Sequence, residues 1–292
     1  MFIDIHVHLT PRRSVLAADG STFTTPEELL TMLDKAGIDK AVVLPSVNPE
    51  GGHIVQSIEE ILAVCEQYPE RFIPFCNLDP RLENNSPTRD FSRELTYYKE
   101  VGCKGVGEIC ANLPFDDPRV ENLFRQCEAF GMPVDFHVGP QVGNCYGLVD
   151  DPGLPRLEGA LKKFPNLLFF GHSQPFWAEI GPVAVEDRNR YPKGKVLQGG
   201  RVPELLRRYP NLYGDLSAGS GFNAVSRDPE FGYEFFETFQ DRLFFGTDIC
   251  APHNDTPLVG FLRDAADTGK ISREAFKKIT WRNADRVLGL GL

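Results

Sequence analysis

Two periods of apolar residues alternate along this chain. Short runs rich in β-branched and aromatic residues read as strands. They are residues 2–8 (FIDIHVH), 40–46 (KAVVLPS), 71–77 (RFIPFCN), 103–109 (CKGVGEI), 133–138 (PVDFHV), 167–173 (LLFFGHS), 211–217 (NLYGDLS) and 242–248 (RLFFGTD). Between them lie stretches of helical period. Residues 26–37 (PEELLTMLDKAG) carry Pro26 at the start and Gly37 at the end, the asymmetry expected of a helix. Residues 54–69, 118–133 and 202–211 read the same way, and 272–289 forms the last helix.

Strand and helix in strict alternation predict βαβ units and a parallel sheet. Eight such units in 292 residues fit the α/β class as a closed (β/α)8 TIM barrel, a single domain over residues 1–292. An open, doubly wound sheet is the rival arrangement. The longest irregular stretches, 139–155 and 173–200, each follow a strand, where barrel loops build active sites.

The first strand poses a chemical question. Side chains alternate faces along a strand, which groups Phe2, Asp4, His6 and His8 on one side and Ile3, Ile5 and Val7 on the other. The second set is core. Two buried imidazoles on the first face need polar partners. Other strands offer them near their carboxyl ends: Glu108 on the fourth, His137 on the fifth, His172 on the sixth and Asp248 on the eighth. Each has a bland reading alone. A strand-end histidine can be a hydrogen-bonded interior residue, Asp248 a helix cap, and Glu108 a partner of Lys104. Together, imidazoles and carboxylates converging from separate strands describe a divalent-metal site, suited to zinc above all and also to manganese or iron.

Composition narrows the function classes. The chain is 41% hydrophobic and 25% charged, with a formal net charge of -10, which argues against nucleic acid or an anionic membrane surface as partner. No apolar run is long enough for a transmembrane helix. The first residues lack the basic and long apolar segments of an export signal. The seven cysteines include no CxxC pair, so reduced thiols in a cytoplasmic protein are expected. The expected partner is a small-molecule substrate, and a homo-oligomer stays open.

The motifs DIHVH, KGVGEI, DFHVG, FFGHSQ and FFGTD, in that order, resemble the amidohydrolase superfamily over essentially the whole chain. The resemblance is to the amidohydrolase-related branch that includes aminocarboxymuconate-semialdehyde decarboxylase and aromatic-acid decarboxylases. It implies that His6, His8, His137 and Asp248 ligate a catalytic divalent metal. It makes His172 a ligand to a second metal or an acid/base group beside the first. Glu108 in GVGEI is similar to the bridging group of the two-metal, deoxyribonuclease-like branch, so one ion or two are both implied. Asp248 would accept a proton from a water activated by the metal, and His172 would steady developing charge or protonate the leaving group. The implied reaction is hydrolysis of a small carbonyl compound: a lactone, an amide or an ester. Its alternative is non-oxidative decarboxylation of an aromatic or unsaturated acid. Asp4 either orients a ligand histidine or has a structural role inside the barrel. Trp177 could wall the pocket or simply pack as an aromatic, and His253 reads as an exposed loop histidine in preference to a substrate contact. Asn112, Asn144 and Tyr146 have no spacing that marks them, and Cys110 and Cys250 read as small buried residues.

Overall fold

The computed structural model describes all 292 residues. Nine strands occur: β1 (Ile3–Val7), β2 (Lys40–Val43), β3 (Phe72–Pro74), β4 (Val106–Ile109), β5 (Val134–Gly139), β6 (Leu148–Val149), β7 (Phe169–His172), β8 (Leu212–Asp215) and β9 (Leu243–Phe244). All pair in parallel. β1, β2 and β3 form one run, and β4, β5, β7, β8 and β9 another. A bridge between Cys76 and Val106 joins the runs at one seam, and a bridge between Val7 and Ile249 joins them at the other. Ile5 N–H donates to Phe245 O at 3.1 Å and His8 N–H to Ile249 O at 2.9 Å, so the ring closes without a free sheet edge. This is the (β/α)8 barrel that the alternating pattern predicts. β6 stands outside the ring, paired to the end of β5. It lies within the stretch expected to be irregular.

The helices begin and end as their sequences dictate. Thr25 and Glu28 form a reciprocal capping box ahead of the helix Pro26–Ala36, and Gly37 ends it in the left-handed conformation. Asp117 caps the helix Pro118–Phe130, which Gly131 ends in the same way. The last helix is more complicated than its periodicity suggests. Lys278–Arg282 is a wide π turn between the helical segments Arg273–Lys277 and Asn283–Leu288. Asn283 N–H bonds Lys278 O, which leaves Ile279 O to accept Phe245 N–H at 3.0 Å. The Asn283 amide also donates to Leu243 O at 2.8 Å. The end of the chain therefore clasps the seam strand β9.

Two apolar clusters divide the core. The larger lies between the ring and its helices and includes Phe2, Val7, Val43, Val134, Phe169 and Leu212. The smaller fills the ring with Ile3, Ile5, Val42, Phe75, Phe170, Tyr213 and Phe244, and the last helix closes its floor with Ala284 and Leu288. Simple alternation along β1 therefore fails. Its pairing with β2 shifts register between Asp4 and Val7, so Ile3 and Ile5 face inward while Val7 faces out. His6 and His8 keep a common face across the irregularity, their Nε2 atoms 3.1 Å apart. Asp4 holds the His6 backbone, accepting from His6 N at 3.0 Å. It closes the seam, accepting from Thr247 N at 3.0 Å and Thr247 Oγ1 at 2.5 Å.

Candidate metal centre

His6 and His8 approach Nε2 to Nε2 at 3.1 Å. His6 Nδ1–H donates to Asp215 Oδ2 at 2.6 Å, and His8 Nδ1–H donates to Leu44 O at 2.7 Å. A carboxylate and a carbonyl can only accept, so in the neutral form of each ring Nδ1 carries the proton and Nε2 is the lone pair. Two lone pairs aimed at each other repel unless a proton or a metal ion lies between them.

Carboxylates complete the set. Glu108 Oε2 is 3.7 Å from His6 Nε2 and 3.6 Å from His8 Nε2. Asp248 Oδ1 is 3.8 Å from the first and 3.6 Å from the second. Donors each about 2.1 Å from a tetrahedral ion lie about 3.4 Å apart, so these spacings fit a divalent cation among His6, His8, Glu108 and Asp248. The far oxygens of the same carboxylates meet the other two histidines. Glu108 Oε1 is 2.8 Å from His137 Nδ1 and 3.7 Å from His172 Nε2, and Asp248 Oδ2 is 3.8 Å from His172 Nε2. Thus all six residues singled out in the sequence meet at one mouth of the barrel. His137 stands beside Glu108 rather than between His6 and His8.

His172 is oriented by a relay. Its Nδ1–H donates to Ser217 Oγ at 2.8 Å, and that hydroxyl donates to Asp215 Oδ2 at 2.8 Å. Asp215 therefore governs the tautomers of both His6 and His172. Sequence reasoning missed it. Its signal was present, since Asp215 ends a strand in YGD as Asp248 follows FFGT.

The electrostatics call for a cation. Asp4, Glu108, Asp135 and Asp215 are buried, Asp248 partly so, and none pairs with Arg or Lys. Burial opposes a charged His6, yet Asp215, Asp135 and Glu108 outweigh it and hold the imidazole well above its ordinary value. Burial would raise Glu108, but hydrogen bonds to His137, His6 and His8 hold it well below the usual carboxylate range. Burial, reinforced by His6, drives His172 down to about 4, so its Nε2 is unprotonated at neutral pH. Neither oxygen of Asp135 has a hydrogen-bond partner. Burial first, then neighbouring carboxylates, push it well up against the pull of His6. Cys110 lies within ligand distance of Glu108 and His137, but burial and Glu108 push its thiol well up, so it stays a protonated, poor ligand.

A cavity of about 330 Å³ opens beside these groups, lined by His137, His172 and Asp248 together with Tyr146, Gln174 and Cys250. A larger cavity of about 480 Å³ between the helices Arg201–Arg208 and Pro229–Phe239 holds none of the six. Tyr146 is a wall, its ring centroid 4.3 Å from that of His137. Asn112 shapes the loop that carries it, donating to Gln141 O at 3.0 Å and accepting from Gly143 N at 2.5 Å, and Asn144 turns there at φ 55°. Trp177 is not a wall. It is buried beneath the site and donates from Nε1 to Asp215 O at 2.7 Å. His253 is exposed, and Lys104 makes no ion pair with Glu108. No helix is long and apolar enough to cross a membrane.

The family model described as Amidohydrolase matches residues 3–290. No curated protein sequence matches. Among solved structures, an uncharacterised TIM-barrel protein from Bordetella bronchiseptica is similar at TM-score 0.63 and 18% identity, over 99% of this chain and 98% of that one. A probable 2-pyrone-4,6-dicarboxylic acid hydrolase from Acinetobacter baumannii, with citric acid bound, gives 0.58 and 16% over 99% of each chain. A 5-carboxyvanillate decarboxylase from Novosphingobium aromaticivorans, complexed with manganese and 4-hydroxy-3-methoxy-5-nitrobenzoic acid, gives 0.62 and 17% over 99% of this chain and 96% of that one. Hydrolases and decarboxylases thus share this barrel, and the family generally uses a divalent metal. The family match over nearly the whole length, on a barrel with this cluster at its mouth, means that the chain belongs to the amidohydrolase family.

Proposed function

We propose that this protein is a divalent-metal-dependent hydrolase of a small carbonyl compound, a lactone, amide or ester. The observation that carries the reading is the convergence of His6 Nε2 and His8 Nε2, 3.1 Å apart and flanked by two carboxylates, with no Arg or Lys paired to them. His6, His8 and Asp248 would hold one ion. Glu108 would be shared with a second, held by His137 and His172. Zinc suits these nitrogen and oxygen donors best, with manganese or iron as substitutes. When bound, such an ion supplies Lewis acidity toward a carbonyl oxygen and lowers the pKa of a water molecule.

The protein's own groups do the rest. Asp248 is the one carboxylate of the set with an accessible side chain, and it reaches the cavity, where it accepts the nucleophile's proton. His172 Nε2, bare and neutral, accepts rather than donates. That favours its role as a ligand over protonating a leaving group. The partner in this reading is a small molecule. Seven free thiols, five of them buried, support a reducing compartment, the cytoplasm.

Asp248→Asn tests the assignment on a panel of chromogenic esters and lactones. Metal content should persist while kcat/KM falls by about 10²–10⁴-fold. Retained metal with unchanged turnover rejects Asp248 as the base. Decarboxylation is the second reading, favoured by the decarboxylases among the similar structures. Carbon dioxide release with no oxygen incorporated from labelled water would select it.

A further inference from the structure

One side chain ties together the ends of β2, β3 and β4. Asn77 follows β3 and is buried. Main-chain bonds hold the three strands up to its level: Phe75 N–H donates to Val43 O at 3.1 Å, and Cys76 N–H donates to Gly105 O at 3.0 Å. At Asn77 the side-chain amide takes over. Its Nδ2 donates to Pro45 O at 2.8 Å and to Glu108 O at 2.7 Å. On the other flank, the pairing of β4 with β5 shifts register between Val106 and Ile109, so regular strand pairing is interrupted at Glu108. The Asn77 amide supplies a tie there that the ladder does not.

Both carbonyls belong to segments that aim ligand groups. Leu44 O, the carbonyl just before that of Pro45, accepts from His8 Nδ1 at 2.7 Å and so orients the ring that presents Nε2. Glu108 Oε2 stands 3.6 Å from that Nε2. Asn77 gains nothing at its own position, since its buried Oδ1 has no hydrogen-bond partner, a costly state for an acceptor. Turning the amide over would set Oδ1 against two carbonyl oxygens, so those carbonyls dictate its rotamer. We infer that Asn77 is a positioning residue: it sets the distance between the His8 and Glu108 donors, and with it the affinity and coordination geometry for a divalent cation. The inference rests on the metal reading above and adds to it a residue that touches neither ion nor cavity.

The barrel carries a matched control. Asn211 precedes β8, at the end of the ring away from the histidines, and is also buried. Its Nδ2 likewise donates to two carbonyls, Leu161 O at 3.2 Å and Phe164 O at 3.0 Å. Asn77→Leu and Asn211→Leu therefore remove the same chemistry from opposite ends. On the full chain, competition with a chelator reads zinc affinity, and the visible absorption of the cobalt(II)-loaded protein reads coordination geometry. Asn77→Leu should weaken zinc binding at least about tenfold and alter the cobalt(II) spectrum. Asn77→Ser, a milder change that keeps a shorter donor, should move both readings in the same direction. Asn211→Leu should leave both at the parental value, whatever it does to Tm.

Parental zinc affinity with an unchanged cobalt(II) spectrum in a folded Asn77 variant overturns the inference, even where Tm falls. Equal losses in Asn77→Leu and Asn211→Leu overturn it as well, because they reduce Asn77 to general support of the barrel. So does failure of both Asn77 variants to fold, which assigns the residue to stability alone. Parent protein that takes up neither zinc nor cobalt(II) brings down the metal reading itself. Uptake by the parent with a loss confined to the Asn77 variants supports the positioning role.

Discussion

Asp215 accepts a hydrogen bond from His6 Nδ1 at 2.6 Å, and through Ser217 it also orients His172. One buried carboxylate thereby decides which ring nitrogens of two histidines are free. A metal site depends on such supporting groups nearly as much as on its ligands.

Asp215→Asn keeps the volume and removes the charge. It puts an amide donor where Oδ2 accepts from two groups. Metal affinity should fall about 10–100-fold, with the far-ultraviolet circular dichroism of the barrel retained. Competition against a fluorescent chelator measures it, and an affinity equal to the parent's would exclude an orienting role.

Protons and cations compete for the same lone pairs, which gives a pH signature. In metal-free protein His6 is held well above its ordinary value. Its contribution to stability is therefore complete below about pH 6.5 and is lost as pH rises through the raised value. Cation binding follows the opposite trend, because its ligands must be deprotonated. The difference in Tm between zinc-loaded and chelator-treated protein should widen from about pH 6 to about pH 9. A constant or shrinking difference contradicts zinc ligation at these rings.

Gly147 offers a prediction on the cavity wall. It sits at φ +100°, and a Cβ there would lie 2.7 Å from Gly139 N and 2.8 Å from His137 Cδ2. Gly147→Ala should cost about 1–3 kcal/mol in urea unfolding and lower activity by displacing Tyr146 and His137 together. Full activity at full stability would show that the loop yields freely.

The sequence made much of this legible, for a physical reason. Strands of a barrel are buried on both faces, so a charged or imidazole side chain within one is conspicuous, and DIHVH, GVGEI, DFHV, FFGH and FFGTD each carry at least one. Features built by departures from regularity were not legible. The irregularity in β1 that turns Ile5 inward has no residue signature, and neither does the π turn that frees Ile279 O. The Lys278–Arg282 segment reads as ordinary helix because its apolar spacing suits either turn. Tyr146 and Tyr191 were invisible as walls because their partners are distant in sequence. Trp177 looked like a wall because it follows the GHSQPF motif, yet its indole supports Asp215 from below. Asp135 repeats the Asp-x-His spacing of Asp4 and His6, but the two differ in role. Asp4 bonds the seam and the His6 backbone, whereas Asp135 makes no hydrogen bond and lies with Oδ1 3.7 Å from His6 Nδ1.

The bond between Thr247 and Asp4 spans 243 positions of the chain. During synthesis at roughly 5–20 residues per second, the opening strand waits on the order of 10–50 s before the segment that seals the barrel exists. Throughout that wait His6 lacks Asp215 for most of the time and Asp4 lacks Thr247, and the strand offers one unpaired edge to solvent. Cation loading is thereby made a late event of biogenesis, coincident with ring closure. Nascent chains of this protein should lean on holding chaperones more heavily than a fold with locally completed units.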